Sequence, residues 1–207
     1  MDRGGEVVRA EAGRPGREDA VAAAMRAVDR RAFLPAGQRR WADQDRPLSI
    51  GHGQTNSQPS TVAAMLRLLD VPRGARVLDV GSGSGWTTTI LARLVGPDGE
   101  VLGLEREPEL AHRGATALAA ADVPWAAIEQ AAGGVLGRPG ERYDRILVSA
   151  AADALPRSLV EQLLPGGRMV VPVRHTMTLV VRDAGGTVRT SEHGTYSFVP
   201  LVEDPPA

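Results

Sequence analysis

The sequence contains neither cysteine nor lysine, and each absence excludes a class of chemistry. Without cysteine, the chain has no disulfide, no thiol nucleophile and no thiolate ligand for zinc or an iron–sulfur cluster. Without lysine, it lacks the phosphate-binding lysine of P-loop enzymes and any lysine that could form a Schiff base. All 24 basic residues are therefore arginines.

Histidines and long apolar runs are also scarce. The four histidines, His52, His112, His175 and His193, are too far apart in sequence for a recognisable metal-binding motif, so we expect no metal site. No apolar run approaches the roughly 18 to 20 residues that a membrane-spanning helix requires. Residues 1–17 are too polar for a secretory signal, and we expect a cytoplasmic protein.

Size and charge limit the organisation and the partners of the chain. Its 207 residues, 43% of them hydrophobic, suit one globular domain. Residues 1–17 carry four glycines among arginines and acidic residues, which predicts a flexible arm before a single domain at residues 18–207. The formal net charge is only -1, so nothing global favours nucleic acid or an anionic membrane as a partner. We expect a monomer that binds a peptide.

Strand-like apolar segments alternate with amphipathic helical segments over most of the chain. This alternation is typical of βαβ units and predicts an α/β fold with a doubly wound, mostly parallel sheet. Glycine-containing turns separate the last strand-like segments, which predicts antiparallel strands at the C-terminal edge of the sheet. Residues 36–58 form a connection that is long for a compact domain and is either loose or functional. After a first helix from Asp19, helices are predicted at residues 59–69, 87–94, 108–120 and 155–164, and strands at 76–80, 100–104, 125–129, 144–149, 169–173, 177–182, 187–191 and 196–201.

A glycine-rich turn follows the first strand of the alternating region. It reads Asp79-Val80-Gly81-Ser82-Gly83-Ser84-Gly85-Trp86, so Trp86 stands where a dinucleotide motif requires its third glycine. Ligands of open α/β sheets bind at such turns, because glycine lets the backbone approach the ligand and the next helix offers free amides. A pyrophosphate would be repelled by Asp79, whereas S-adenosylmethionine carries a sulfonium and an ammonium group but no phosphate. The sequence thus favours the sulfonium cofactor, whose ribose hydroxyls Glu105 can bind from the end of the next strand.

The segment before this turn is the most specific part of the sequence. It reads Pro47-Leu48-Ser49-Ile50-Gly51-His52-Gly53-Gln54-Thr55-Asn56-Ser57-Gln58-Pro59. This closely resembles a run typical of the protein-L-isoaspartate O-methyltransferases, Pro-Leu-x-Ile-Gly-x-Gly-Gln-Thr-Ile-Ser-Gln-Pro. Further similarities follow one another in the family's order at residues 31–35, 144–152, 162–168 and 198–201. The resemblance implies a Rossmann-like fold that binds S-adenosylmethionine and releases S-adenosylhomocysteine.

The same resemblance implies roles for individual residues. Ser57 is expected beside the transferred methyl group and the acceptor carboxylate, with Thr55 and Gln54 as further catalytic residues on the same wall. Ser57 can also be interpreted as a cap of the helix that begins at Pro59. The implied cofactor contacts are Asp79, Gly81, Ser82, Gly83, Gly85, Glu105, Gly133 and Gly134, and the implied substrate contacts are Asn56, Ala151, Val199 and Pro200.

Three positions depart from the family pattern. Asn56 stands in place of isoleucine, Trp86 in place of the tyrosine of bacterial members, and Gly133 in place of the acid of a Gly-Asp-Gly motif near the adenine. Because a carboxylate acceptor is already ionised at neutral pH, His52 is not expected to act as a general base. Catalysis should come from alignment and desolvation.

Three hypotheses about function remain. The first is esterification of L-isoaspartyl carboxylates in proteins or peptides, which leads to a succinimide and to repair. The second is a dedicated aspartyl O-methyltransferase that tailors one ribosomal peptide precursor, and the departures at Asn56 and Gly133 motivate it. The third is a non-catalytic binding module that has lost its affinity for the cofactor.

Overall fold

The structure, a computed structural model, describes residues 19–202. The arm predicted at residues 1–17 lies outside this range. The helices are α1 (Ala20–Ala27), α2 (Pro59–Leu69), α3 (Trp86–Val95), α4 (Pro108–Ala119) and α5 (Arg157–Glu161). The strands are β1 (Leu48–Gly51), β2 (Gln54–Asn56), β3 (Arg76–Val80), β4 (Glu100–Glu105), β5 (Ala126–Gln130), β6 (Tyr143–Val148), β7 (Leu163–Val173), β8 (Thr176–Arg182) and β9 (Val188–Thr195).

Seven of these strands form one sheet in the order β5-β4-β3-β6-β7-β8-β9. The first five are parallel neighbours, and β8 and β9 pair antiparallel at the edge. Strands β1 and β2 form a separate antiparallel hairpin. The predicted fold class, a doubly wound and mostly parallel sheet with antiparallel strands at the C-terminal edge, is confirmed.

Apolar layers cover both faces of the sheet. Because successive side chains of a strand point to opposite faces, Val77 of β3 packs into a layer with α1, α2 and α3, while Leu78 and Val80 pack into the opposite layer with α5. All three side chains are buried. Parallel strands buried on both sides bring their carboxyl ends to one edge of the sheet, which is where ligands of such folds bind.

The long connection at residues 36–58 is ordered rather than loose. A 3-10 helix occupies Ala36–Trp41, and the β1–β2 hairpin follows it. At the tip of the hairpin, Gly51, His52 and Gly53 all have positive φ values, of 97°, 52° and 71°. Glycine adopts this region without a steric penalty, so two glycines allow the chain to reverse tightly around His52.

The strand predicted at residues 196–201 is wrong, and the expected glycine-containing turn before it is absent at Gly194. Gly194 lies inside β9, and after Tyr196 the chain leaves the sheet edge. Phe198 instead packs against the main apolar layer, and Pro200 forms an isolated parallel bridge with Ala151. Ala151 bonds to the carbonyl of Val199 and to the amide of Leu201, so this segment lies against the loop after β6 and does not extend the sheet edge.

The helix predicted at residues 155–164 is shorter than expected. The helix α5 spans five residues, and β7 already begins at Leu163. The carbonyl of Gln162 accepts a hydrogen bond from the amide of Tyr143, so the chain pairs with β6 before the predicted helix end. Pairing with the neighbouring strand therefore overrides the helical periodicity here. Within residues 19–202, no helix has the length and apolar character that a bilayer crossing requires.

Gly103 lies inside β4, where the chain packs tightly beneath the glycine turn. A Cβ atom at this position would lie 2.9 Å from Cγ1 of Ile128 and 3.0 Å from Cβ of Ser82. Gly103→Ala should therefore lower the free energy of unfolding by about 1–3 kcal/mol, measured by urea denaturation. Gly37→Ala is the matched control, because no atom lies within 4 Å of a Cβ there. Equal stability of the two variants would contradict the packing described.

Candidate functional site

A cavity of about 570 Å³ lies at the carboxyl ends of the parallel strands. The glycine turn forms one wall, the segment Gln54–Ser57 faces it, and residues 131–137 and 199–202 complete the lining. Twelve of the residues singled out from the sequence line this cavity: Gln54, Thr55, Asn56, Ser57, Gly81, Ser82, Gly83, Glu105, Gly133, Gly134, Val199 and Pro200. Three of them do not, namely Asp79, Gly85 and Ala151.

The glycine turn is shaped by positive φ values at Gly81, Gly83 and Gly85, of 77°, 55° and 90°. The amides of Gly81 and Ser82 donate to the carbonyl of Leu104, at 2.8 and 3.1 Å, which fixes the turn on β4. A Cβ at Gly85 would lie 2.8 Å from Cδ1 of Ile128, so this glycine permits close packing below the turn. Gly85 thus supports the cavity wall without lining it.

Glu105 lies at the edge of the cavity and is 5% exposed. Its Oε2 atom accepts a hydrogen bond from the amide of Gly83 at 2.8 Å, and Oε1 accepts one from the amide of Glu107 at 3.0 Å. A carboxylate offers about four lone-pair sites, so acceptor capacity remains for hydroxyl groups of a ligand. The orientation of this carboxylate is therefore preset by the backbone of the turn.

Asp79 lies behind the glycine turn and not in the cavity wall. Its side chain is fully buried; Oδ2 accepts a hydrogen bond from the hydroxyl of Thr88 at 2.7 Å, and Oδ1 has no partner within residues 19–202. Burial raises the pKa of this carboxyl to about 7, and the charge of Glu105 adds to the rise, while the bond from Thr88 opposes it. The expectation that Asp79 touches the ligand directly is not met by this geometry.

Ser82 also has an unpartnered polar atom. Its Oγ is buried without a hydrogen-bond partner in the described part of the chain, and the residue lines the cavity. Buried polar groups are nearly always satisfied in folded proteins, so such an atom at a cavity wall indicates a missing ligand group or water. The Ser82 side chain faces Gly103 of β4, so this unmatched hydroxyl lies within the turn.

The hairpin β1–β2 supplies the wall opposite the turn, and α4 holds it there. Nε2 of His52 lies 2.9 Å from Oε2 of Glu109, and NH1 of Arg113 donates to the carbonyl of Ile50 at 3.0 Å. A Cβ at Gly83 would lie 3.2 Å from Cδ1 of Ile50, which shows how closely the hairpin approaches the turn. His52 does not line the cavity.

Arg30 is the main contributor to this site that sequence reasoning missed. Its side chain is 5% exposed, and the guanidinium lies 5.2 Å from the ring centroid of Trp86. Nε donates to Oδ1 of Asn56 at 2.7 Å, and NH2 donates to the carbonyls of Asn56 and Ser57 at 3.1 and 2.9 Å. The carbonyls of Ala42, Gln44 and Arg46 accept the remaining bonds. Arg30 lies just before the family-like run at residues 31–35 and carries no signal of its own, and its partners lie 12 to 27 residues further along the chain.

The buried guanidinium remains charged at neutral pH. Burial lowers its pKa to about 10, while the charge of Asp45 opposes this shift. Five N–H donors that meet backbone and amide oxygens make the buried position acceptable, because each desolvated donor is paired. Arg30 thus joins the segment 42–46 to the wall Gln54–Ser57.

Asn56 was expected to contact the substrate, but its side chain has other partners. It is 5% exposed, and Nδ2 donates to Oγ of Ser84 at 3.4 Å while Oδ1 accepts from Arg30. The amide therefore connects the wall of the hairpin to the glycine turn. Isoleucine, which the family pattern has here, could make neither bond.

Ser57 is not the cap of α2. The residue preceding the helix is Gln58, without a capping side-chain bond, and Asp45 performs the capping from a distance. Oδ1 of Asp45 accepts from the amide of Ser60 at 2.8 Å, and Oδ2 accepts from the side chain of Gln58 at 3.0 Å. These bonds lower the pKa of Asp45, the one from the Ser60 amide most strongly. The hydroxyl of Ser57 is left available at the cavity wall.

The segment 131–137 forms the wall beyond Glu105. The amide of Ala131 donates to the carbonyl of Glu105 at 2.8 Å, which ties this wall to β4. No atom lies within 4 Å of a Cβ at Gly133, so the wall is open where the family pattern has an acid. Gly134, with a φ of 71°, turns the chain along the cavity.

Ala151 supports the tail rather than the cavity surface. Its amide donates to the carbonyl of Val199 at 2.8 Å, and its carbonyl accepts from the amide of Leu201 at 2.7 Å. The neighbouring Ala150 lines the cavity instead. Ala151 therefore holds Val199 and Pro200 in the cavity wall.

The raised pKa of Asp79 predicts a pH-dependent stability. The unfolded carboxyl titrates near 3.8 and the folded one near 7, so between these values the folded state binds more protons and loses stability as pH rises. Asparagine does not titrate. Asp79→Asn should therefore raise the free energy of unfolding more at about pH 8 than at about pH 5. The two increases should differ by roughly 1–3 kcal/mol. Urea denaturation of both proteins at the two pH values measures both increases, and a pH-independent difference would contradict the buried carboxyl.

Solved structures have a similar fold. One is a Plasmodium falciparum protein described as a protein-L-isoaspartate O-methyltransferase (beta-aspartate methyltransferase), in complex with S-adenosyl-L-homocysteine. It superposes with a TM-score of 0.77 at 26% identity, over 90% of this chain and 92% of its own.

Relatives with similar sequences are also named protein-L-isoaspartate O-methyltransferases. A protein-L-isoaspartate O-methyltransferase of Methanopyrus kandleri is 45% identical over 191 residues, which cover 90% of this chain and 84% of the relative. Protein-L-isoaspartate O-methyltransferase 1 of Rhodopseudomonas palustris is 42% identical over 91% of this chain and 78% of its own length. The family model of protein-L-isoaspartate(D-aspartate) O-methyltransferases matches residues 7–205. The chain belongs to the protein-L-isoaspartate(D-aspartate) O-methyltransferase family.

Proposed function

We propose that the chain is an S-adenosylmethionine-dependent O-methyltransferase that esterifies the carboxylate of L-isoaspartyl residues in proteins or peptides. The observation that carries this proposal is one cavity in which the Gly81–Gly85 turn faces the Gln54–Ser57 wall. The turn suits the donor, and the wall suits a peptide carboxylate. Family membership adds direct support, because the relatives carry this activity in their names.

The residues of the cavity fit S-adenosylmethionine. Ser82 offers an unmatched buried hydroxyl, the turn exposes glycine backbone, and Glu105 presents a fixed carboxylate with spare acceptor capacity for the ribose hydroxyls. Gly133 and Gly134 leave room for the base. When bound, the cofactor supplies an electrophilic methyl group on a positively charged sulfur. Asp79 then acts from behind the turn, by rigidifying it through Thr88, and not by direct contact.

The wall at Ser57 fits the acceptor. The Ser57 hydroxyl donates to the acceptor carboxylate and orients one of its oxygens, while Thr55 and Gln54 shape the same surface. Val199 and Pro200 contact the peptide beside it. The carboxylate is ionised at neutral pH, so no residue has to remove a proton, and catalysis depends on alignment and on exclusion of water.

The product ester explains the repair. The backbone nitrogen that follows the esterified residue attacks the ester carbonyl, methanol leaves, and a succinimide forms without further help from the protein. Hydrolysis of the succinimide returns part of the material to the normal aspartyl linkage. The chain itself performs only the esterification.

The proposed function also concerns the location and the oligomeric state of the protein. With a net charge of -1 the chain has no general attraction to nucleic acid or to anionic membranes, and we place it in the cytoplasm as a monomer that acts on peptides. Size-exclusion chromatography coupled to light scattering tests the monomer.

Substrate preference tests the proposed reaction. An isoaspartyl peptide should be methylated with a kcat/KM at least about tenfold above that of its aspartyl twin, a difference of ~1.4 kcal/mol in transition-state stabilisation. Release of radioactive methanol from labelled cofactor measures both. Preference for the aspartyl twin would instead favour the dedicated peptide-tailoring enzyme. No binding of S-adenosylhomocysteine at millimolar concentration would favour a non-catalytic module.

Ser57→Ala tests the role of the hydroxyl. Loss of a hydrogen bond to a charged group costs about 1.5–3 kcal/mol, so kcat/KM for the isoaspartyl peptide should fall by roughly 10- to 100-fold. Ser49→Ala is the matched control, because Ser49 is exposed and does not line the cavity. Undiminished turnover of Ser57→Ala would remove the proposed role.

A further inference from the structure

The buried charge of Arg30 is not neutralised by a close carboxylate. All its hydrogen-bond acceptors are carbonyl or amide oxygens, and within residues 19–202 no acidic side chain forms an ion pair with it. Among acidic groups, Asp45 acts on it electrostatically, but the oxygens of Asp45 are bonded to Ser60 and Gln58. A full positive charge thus lies in a poorly hydrated position.

This charge lies directly behind the acceptor wall. NH2 of Arg30 is 2.9 Å from the carbonyl oxygen of Ser57 and 3.1 Å from that of Asn56. Both peptide bonds are trans, since the described chain has no cis peptide. In a trans peptide the carbonyl and the amide hydrogen point in opposite directions, so the amides of Ser57 and Gln58 point away from Arg30. The two peptide dipoles are aligned, with their positive amide ends on the side away from Arg30. They therefore carry the positive potential of the guanidinium further from it.

We infer that Arg30 is a positioning residue that makes the wall at Ser57 selective for an anionic acceptor, and that Asn56 leaves its charge unneutralised. This inference rests on the proposed function, since it concerns the carboxylate that Ser57 binds. The amide of Asn56 is suited to the role because it satisfies Nε of Arg30 without adding a negative charge. A carboxylate at position 56 would still accept the hydrogen bond from Nε of Arg30, but its negative charge would neutralise the positive charge of Arg30.

Two variants change the charge next to Arg30 in opposite directions. Asn56→Asp keeps an acceptor for Nε and creates an ion pair. Asp45→Asn removes the acidic group that partly offsets Arg30, while its amide oxygen can still accept from Ser60. Asn56→Leu removes the hydrogen bonds without changing charge, and Thr190→Asp adds the same negative charge at an exposed position of β9, on the far edge of the sheet.

The measured quantity is the preference of the protein for a peptide with an isoaspartyl carboxylate over the same peptide with a neutral amide there. Calorimetry in the presence of S-adenosylhomocysteine gives the affinity ratio between an isoaspartyl peptide and its neutral isoasparaginyl analogue. Asn56→Asp should reduce this ratio about tenfold, which corresponds to ~1.4 kcal/mol, without lowering the thermal unfolding midpoint. Asp45→Asn should raise the ratio about two- to threefold, and Thr190→Asp should leave it unchanged. Asn56→Leu should lower the midpoint but keep most of the ratio.

The outcomes separate this inference from the function on which it rests. A wild-type protein that binds neither S-adenosylhomocysteine nor the isoaspartyl peptide would refute both. Normal binding with an unchanged ratio in Asn56→Asp and Asp45→Asn would refute only the role of Arg30. Equal losses of the ratio in Asn56→Asp and Asn56→Leu would assign Arg30 and Asn56 a purely structural role.

Discussion

The guanidinium of Arg30 connects the segment 42–46, the wall Gln54–Ser57 and the ring of Trp86. It bonds to backbone carbonyls between residues 42 and 46 and to the wall that ends at Ser57, and Trp86 covers its face. A buried cation must have all its donors paired, so these segments cannot separate without a large desolvation cost. The acceptor wall therefore has one position relative to the glycine turn.

The glycine turn is fixed by different forces. Its amides bond to Leu104, and Glu105 in turn accepts the amide of Gly83, so the turn and the end of β4 orient each other. Asn56 joins this unit to the Arg30 network through Ser84. Two rigid walls with a cavity between them suit a reaction that needs alignment rather than acid–base chemistry. This is why a site with few ionisable groups can still serve methyl transfer.

Sequence reasoning succeeded where local signals decide the structure. The parallel strands and the turn at residues 81–85 follow from short apolar runs and glycine spacing, and both are confirmed. It failed where distant contacts decide: Asp45 caps α2 from 15 residues away, and Arg30 binds its wall across 27 residues. The position of Asp79 behind the turn could not be predicted from the sequence either. A motif gives the order of the residues, but it does not give the direction in which each side chain points.

A crystal structure with S-adenosylhomocysteine and an isoaspartyl peptide bound together tests the central claim most directly. We expect the cofactor sulfur between the glycine turn and Ser57, the ribose on Glu105, and the peptide carboxylate within hydrogen-bond distance of the Ser57 hydroxyl. A peptide carboxylate held elsewhere, or a cofactor outside the cavity between these two walls, would contradict this claim.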